Sequence, residues 1–171
     1  MEAYVEGKAQ AFELLYDKIS PRLFGYLLRL TGHRERAEDL LQVTFAKMHR
    51  ARSSYLGGAP VLPWVFAIAR RAFLDERRRS KSRKEELSAD GALPEPPPEG
   101  HAPPGVTEAL EVALARLPEK YREAVVLTKV TGLSVNEAAQ VLGITPTAVK
   151  LRVHRGYKEL RVSLEEYQRS K

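Results

Sequence analysis

Thr145, Thr147, Lys150, Arg152 and Arg155 lie close together, and Glu159 is the only acid between Thr145 and Ser163. His154, Lys158 and Arg161 extend the same basic stretch. Arginine and lysine can read guanine in the major groove of duplex DNA, and threonine can contact a base or a phosphate. The remaining charges would neutralise backbone phosphates, which fixes register without reading sequence. A second constellation interleaves Tyr55, Trp64, Phe66 and Phe73 with Arg70, Arg71, Arg77, Arg78 and Arg79. Aromatic faces stack unpaired bases while arginines follow the phosphates, which is the chemistry of single-strand capture. Trp64 could instead anchor a core, and the arginine run could be a solvated helix end. Catalysis finds no such support. Glu38 and Asp39 are adjacent carboxylates, but no second carboxylate cluster, P-loop or nucleophile–base pair completes a site. Cysteine is absent, and the four histidines are scattered without ligand spacing. No catalytic residue, metal site or cofactor is therefore assigned.

The elements that must position these residues read as helices. Ser134-x-x-Glu137 is a capping box, in which each side chain satisfies the other's backbone amide. The helix it opens ends at Gly143, and Thr145-Pro146 supplies a fresh N-cap and first-turn proline for a helix through Arg161. Ala139, Gly143 and Val149 have the spacing of a helix-turn-helix: close approach, turn, and packing of the second helix onto the first. A plain helical hairpin is the alternative. Before Ser88 the pattern predicts a helix near 2–18, another opening at Ser20-Pro21 and ending at Thr31-Gly32, a third over 34–51 with Ala37, Leu41, Phe45 and Met48 on one face, and a fourth from Pro63-Trp64 into the arginines. No stretch alternates long enough for a strand.

Charge partitions along the 171-residue chain. The net +6 resolves into +2 over 1–69, +6 over 70–84, −7 over 85–112, +1 over 113–144 and +4 over 145–171. Six of the 11 prolines fall between Ser88 and Gly105. Consecutive prolines favour extended polyproline II and break helices. The fold expected is all-α: two small helical domains, 1–84 and 107–171, joined by a flexible acidic Pro-rich linker over 85–106. No apolar run approaches the roughly 20 residues of a membrane span, and the first residues lack a signal-peptide layout. A soluble cytoplasmic protein without membrane insertion is expected.

These residues carry a resemblance. AFELLYDKISPRLFGYLLRLTG, RAEDLLQVTFAKMHRA and LPWVFAIARRAFLDERRR are similar, in order and spacing, to region two of the bacterial extracytoplasmic-function sigma factors. LPEKYREAVVLTKVTGLSVNEAAQVLGITPTAVKLRVHRG resembles region four of the same family. The resemblance implies a non-catalytic subunit that binds core RNA polymerase, directs it to promoters and helps melt the duplex. It implies contact with the polymerase clamp helices through Glu38, Asp39, Leu41, Gln42 and Phe45, and docking of region four on the flap. Flipped minus-ten bases would be captured by the loop 55–63 and the helix from Trp64, through Tyr55, Trp64, Arg70, Arg71, Arg77 and Arg78. The minus-thirty-five duplex would be read through Thr145, Thr147, Lys150, Arg152 and Arg155. Many members of the family are held inactive by an anti-sigma protein, so the resemblance admits such a partner without identifying one. Three positions depart from the family pattern: Arg71 for a usual asparagine, His49 for a common tryptophan and Ala138 for a usual isoleucine. A stand-alone helix-turn-helix regulator is the alternative function; it would need neither the AEDLLQ segment nor the aromatic-basic helix.

Overall fold

The computed structural model describes residues 1–88 and 108–169. Of the segment expected to be the linker, residues 85–88 are instead helical and continue the first domain's last helix, and the rest lies outside the described residues. The described chain is helical, and two helical domains follow one another along it. The first comprises α1 (Glu2–Val5), α2 (Ala9–Thr31), α3 (Arg34–Ala51) and α4 (Val61–Ser88), with a 3-10 turn at Arg52–Ser54. The second comprises α5 (Glu108–Arg116), α6 (Glu119–Val125), a π-helical turn at Val126–Val130, α7 (Val135–Leu142) and α8 (Pro146–Arg169).

Helix α3 has the expected bounds, but the first two helices are divided differently. The break falls at Gly7, where φ is +86°, and α2 continues through Pro21. A proline inside a helix removes one amide and frees the carbonyl four residues back. Pro21 is exposed while Ile19 and Leu23 are buried, so the freed Asp17 carbonyl belongs to the wet side. The buried side keeps its ladder, and apolar packing outweighs the local stop signal.

In the first domain Leu23, Tyr26, Leu27, Met48, Val65 and Phe66 are fully buried. Each such side chain contributes about 1.5–3 kcal/mol relative to exposure. Tyr26 and Phe66 meet edge-to-face with ring centroids 5.2 Å apart. This core does not stop at the domain boundary. Val126, Leu127, Leu133, Ala138, Val141, Leu142 and Val149 belong to the same contiguous buried cluster. Helix α7 packs on α4, and α2 packs on α5, α6 and the π-helical turn. A smaller cluster of Ala113, Leu114, Leu117, Val125 and Leu160 seals the far end of the second domain. The two domains thus share one core.

Candidate nucleic-acid and polymerase interfaces

The second domain builds its helix pair from local signals. Ser134 Oγ accepts the Glu137 amide at 3.2 Å, and the Glu137 carboxylate accepts the Ser134 amide at 2.8 Å, closing the capping box. Gly143 ends α7 in the left-handed region at φ +66°, a conformation costly for residues with a Cβ. Thr145 Oγ1 then accepts the Ala148 amide at 3.2 Å and caps α8. Ala138, Ala139, Leu142 and Val149 are buried, so α8 lies firmly on α7. Ala138, where the family pattern has a larger side chain, is fully buried in this packing.

With that side buried, α8 turns Thr147, Lys150 and Arg155 to solvent, and Arg152 is half-buried. Thr145 is exposed too, with its oxygen engaged in the cap. Arg155 donates to the Tyr121 hydroxyl at 3.5 Å, and this cationic partner lowers the phenol's pKa. The first three turns of α8 therefore expose Thr147, Lys150 and Arg155 around the side that Val149 does not bury. Two supporting residues escaped the sequence reasoning. Gly156 is buried where α8 crosses α6, and Tyr121 stands beside Arg155. A glycine in mid-helix was the available signal for the first.

The aromatic-basic constellation divides. Tyr55 and Trp64 are half-buried with rings 5.3 Å apart at 67°, flanking the loop over 55–60. Tyr55 also donates to the Ala59 carbonyl within that loop, and neighbouring Leu56 is 78% exposed. Phe66 and Phe73 are core residues and offer no face for stacking. Among the arginines, Arg71 and Arg78 point outward. Arg78 bonds Asp75 at 2.5 Å, and Lys47 reaches the same carboxylate at 3.1 Å; together they lower its pKa. Arg70 and Arg77 are occupied from across the domain boundary. Arg70 Nε bonds Glu123 at 2.8 Å, and Arg77 pairs with Glu119.

On α3, Asp39 and Gln42 are exposed three residues apart, and Leu41 is half-buried. Glu38 pairs with Arg34 at 2.8 Å. Phe45 departs from the expected surface role: it is 5% exposed, packed 4.6 Å from the Tyr16 ring and edge-on to Phe12. An aromatic of that size gains more from the core edge than from solvent, so Phe45 supports this face from behind. Val43, which sequence reasoning passed over, is 43% exposed on the same helix. With Asp39, Leu40 and Ala72 it lines a shallow cleft of about 170 Å³ between α3 and α4. The pair Arg36–Glu76 at 3.0 Å spans the two helices.

Comparison with known proteins agrees with this division. Residues 15–83 match the family model described as Sigma-70 region 2, and residues 107–160 match Sigma-70, region 4. The RNA polymerase sigma factor CarQ of Myxococcus xanthus is 38% identical, over 97% of this chain and 96% of the relative. The ECF RNA polymerase sigma factor SigL of Mycobacterium tuberculosis is 33% identical, over 96% and 97%. Among solved structures, the sigma factor RpoE in complex with the anti-sigma factor NepR from Bartonella quintana superposes with a TM-score of 0.79 at 28% identity, covering 92% of this chain and 98% of that one. CnrH in complex with the cytosolic domain of CnrY shares the fold, with a TM-score of 0.72 at 24% identity and coverage of 95% and 92%. Among the described residues, no helix is long and apolar enough to cross a membrane.

Proposed function

Because this chain belongs to the sigma-70 family, as an extracytoplasmic-function RNA polymerase sigma factor, we propose that its two basic surfaces divide promoter recognition between opened strand and duplex. The observation that carries the reading is that they differ in kind. An exposed cationic helix start stands on one domain, and an aromatic pair beside an arginine-bearing helix stands on the other.

In this reading residues 107–171 read the minus-thirty-five duplex. The start of α8 enters the major groove, with Thr147, Lys150 and Arg155 at base edges or phosphates and Thr145 and Arg152 beside them. Residues 1–84 take the minus-ten element. Tyr55 and Trp64 border the place for an extruded base, and Arg71 is exposed for phosphate, joined by Arg78, Arg70 and Arg77 once released from Asp75, Glu123 and Glu119. Taking a base out of the stack costs a few kcal/mol, which aromatic contact and phosphate pairing offset. Arg71 cannot reproduce an amide's paired donor and acceptor, so it contributes charge rather than amide-type base reading. Asp39 and Gln42, with Leu41, Val43 and Glu38 around them, form the face for the polymerase clamp helices; the proline-rich residues that follow α4 are the tether.

The protein acts within the holoenzyme and contributes binding energy, not a reaction of its own. The Bartonella relative is in complex with an anti-sigma factor, and a protein of that kind is proposed as a regulator of this chain. Run-off transcription with core polymerase and the full chain, with start sites mapped genome-wide, tests the reading. Start sites sharing elements about 10 and 35 positions upstream, at two contacts of different kind, are the expected result. Duplex binding without any polymerase-dependent start would overturn it in favour of a stand-alone regulator.

A further inference from the structure

Three carboxylates of the second domain each meet an arginine of the first. Glu111 of α5 bonds Arg29 at 2.7 Å, Glu119 of α6 pairs with Arg77, and Glu123 of α6 bonds Arg70 at 2.8 Å. Glu123 is 5% exposed and also accepts the Tyr26 hydroxyl at 3.0 Å. Such a buried carboxylate is tolerated only because both donors are in place. Guanidinium groups bind carboxylate and phosphate through the same planar fork of donors. Two of the three arginines, Arg70 and Arg77, lie on the helix assigned to the melted strand. We infer that the free protein is self-blocked: the second domain closes on α4, and Glu119 and Glu123 take the places on Arg77 and Arg70 that phosphates of the opened strand would occupy.

The apolar contacts fit this closure. Val141 and Leu142 of α7 share one buried cluster with Val65 and Phe66 of α4, so the second domain covers part of the helix and engages two of its arginines while Arg71 stays exposed. The blockade is selective. Thr147, Lys150 and Arg155 stay exposed on α8, leaving the duplex-reading face free while the strand-binding helix is engaged. A chain competent in only a small open fraction binds its strand more weakly by that fraction. Loss of the closing contacts raises the affinity by the same factor. The inference rests on the assignment of α4 to the opened strand.

The test uses the full chain without polymerase. The probe is a fluorescent single-stranded oligonucleotide with the non-template minus-ten sequence of a promoter mapped by run-off transcription. The Glu119→Gln/Glu123→Gln double variant is expected to bind it at least about tenfold more tightly than wild type. Small-angle scattering should show a radius of gyration near about 16 Å for the closed wild type and a larger one for the variant. If circular dichroism shows that the double variant does not fold, Glu119→Gln alone serves, since Glu119 is a partly exposed residue; its gain is smaller but in the same direction. A folded variant that neither expands nor gains affinity overturns the inference, as does one that expands with affinity unchanged. Should wild type and variant bind equally while the holoenzyme transcribes normally, the closure fails and the promoter reading stands. Absence of transcription would instead remove the promoter reading.

Discussion

A Cβ built on Gly156 would stand 2.7 Å from Cγ2 of Val125, so α8 crosses α6 at a distance that only glycine permits. Val125 is itself 3% exposed and has nowhere to retreat. Two effects oppose each other in Gly156→Ala. Helix propensity favours alanine by about 1 kcal/mol, while overpacking a well-filled contact costs about 1–3 kcal/mol. The clash is with a buried branched side chain on a packed helix, so the second effect prevails, and a net loss of about 1 kcal/mol is expected in urea denaturation. Val125→Ala makes room, so the double variant should lose less than the two single losses added. Strict additivity would show that the crossing does not depend on this pair.

Lys150 and Arg155 are exposed on the same helix, and their effect on DNA binding should be electrostatic. Each phosphate contact removed lowers the slope of log affinity against log salt by about one. Replacing both with alanine is expected to weaken binding to a minus-thirty-five duplex and reduce the slope by up to about two. A weakened but equally salt-dependent variant would move both residues away from the phosphates and towards base edges.

Asp39 and Phe45 are six residues apart on one helix, with opposite surroundings. Asp39→Ala should lower affinity for core polymerase by up to about 2 kcal/mol, roughly 30-fold, without changing the melting temperature. Phe45→Ala should destabilise the fold by about 3–5 kcal/mol and lose polymerase binding only as a consequence. Affinity measured beside thermal melts separates the two. An Asp39 variant that also loses duplex binding would contradict its place on a polymerase face.

What could be read in the sequence was what is local. The Ser134–Glu137 box, the stop at Gly143 and the cap at Thr145 each work over three or four residues, and the structure has all three. Helix α3 was equally legible, since its apolar spacing and flanks agree. Pro21 misled because the stop signal is local while the burial of Ile19 and Leu23 that overrides it is tertiary. The fate of the arginine run was not legible at all. Arg70 and Glu123 are 53 positions apart, on opposite sides of the proline-rich stretch. Their regional charge sums are the same whether they face each other or water. Phe66 and Phe73 show the same limit: an aromatic near arginines has one composition and two uses, stacking platform or core.

Tyr26 gives the closed arrangement a signature in pH. Burial raises its pKa well above the ordinary value, and the neighbouring Glu123 carboxylate, which accepts its hydrogen bond, raises it further. In the unfolded chain the phenol loses its proton near about pH 10, whereas the folded chain retains it. Below that pH both states carry the proton, and the contribution is fully present. As pH rises through the unfolded value towards the folded one, only the unfolded state releases the proton, so stability falls. The slope from one such group approaches about 1.4 kcal/mol per pH unit. Tyr26→Phe should be less stable than wild type near neutral pH, because Glu123 loses one of its two donors. It should also lose part of the alkaline decline. Urea midpoints measured for both proteins between about pH 8 and 11 should therefore converge as pH rises. Curves that stay parallel would mean that Tyr26 does not hold its proton in the folded protein and that other groups carry the decline.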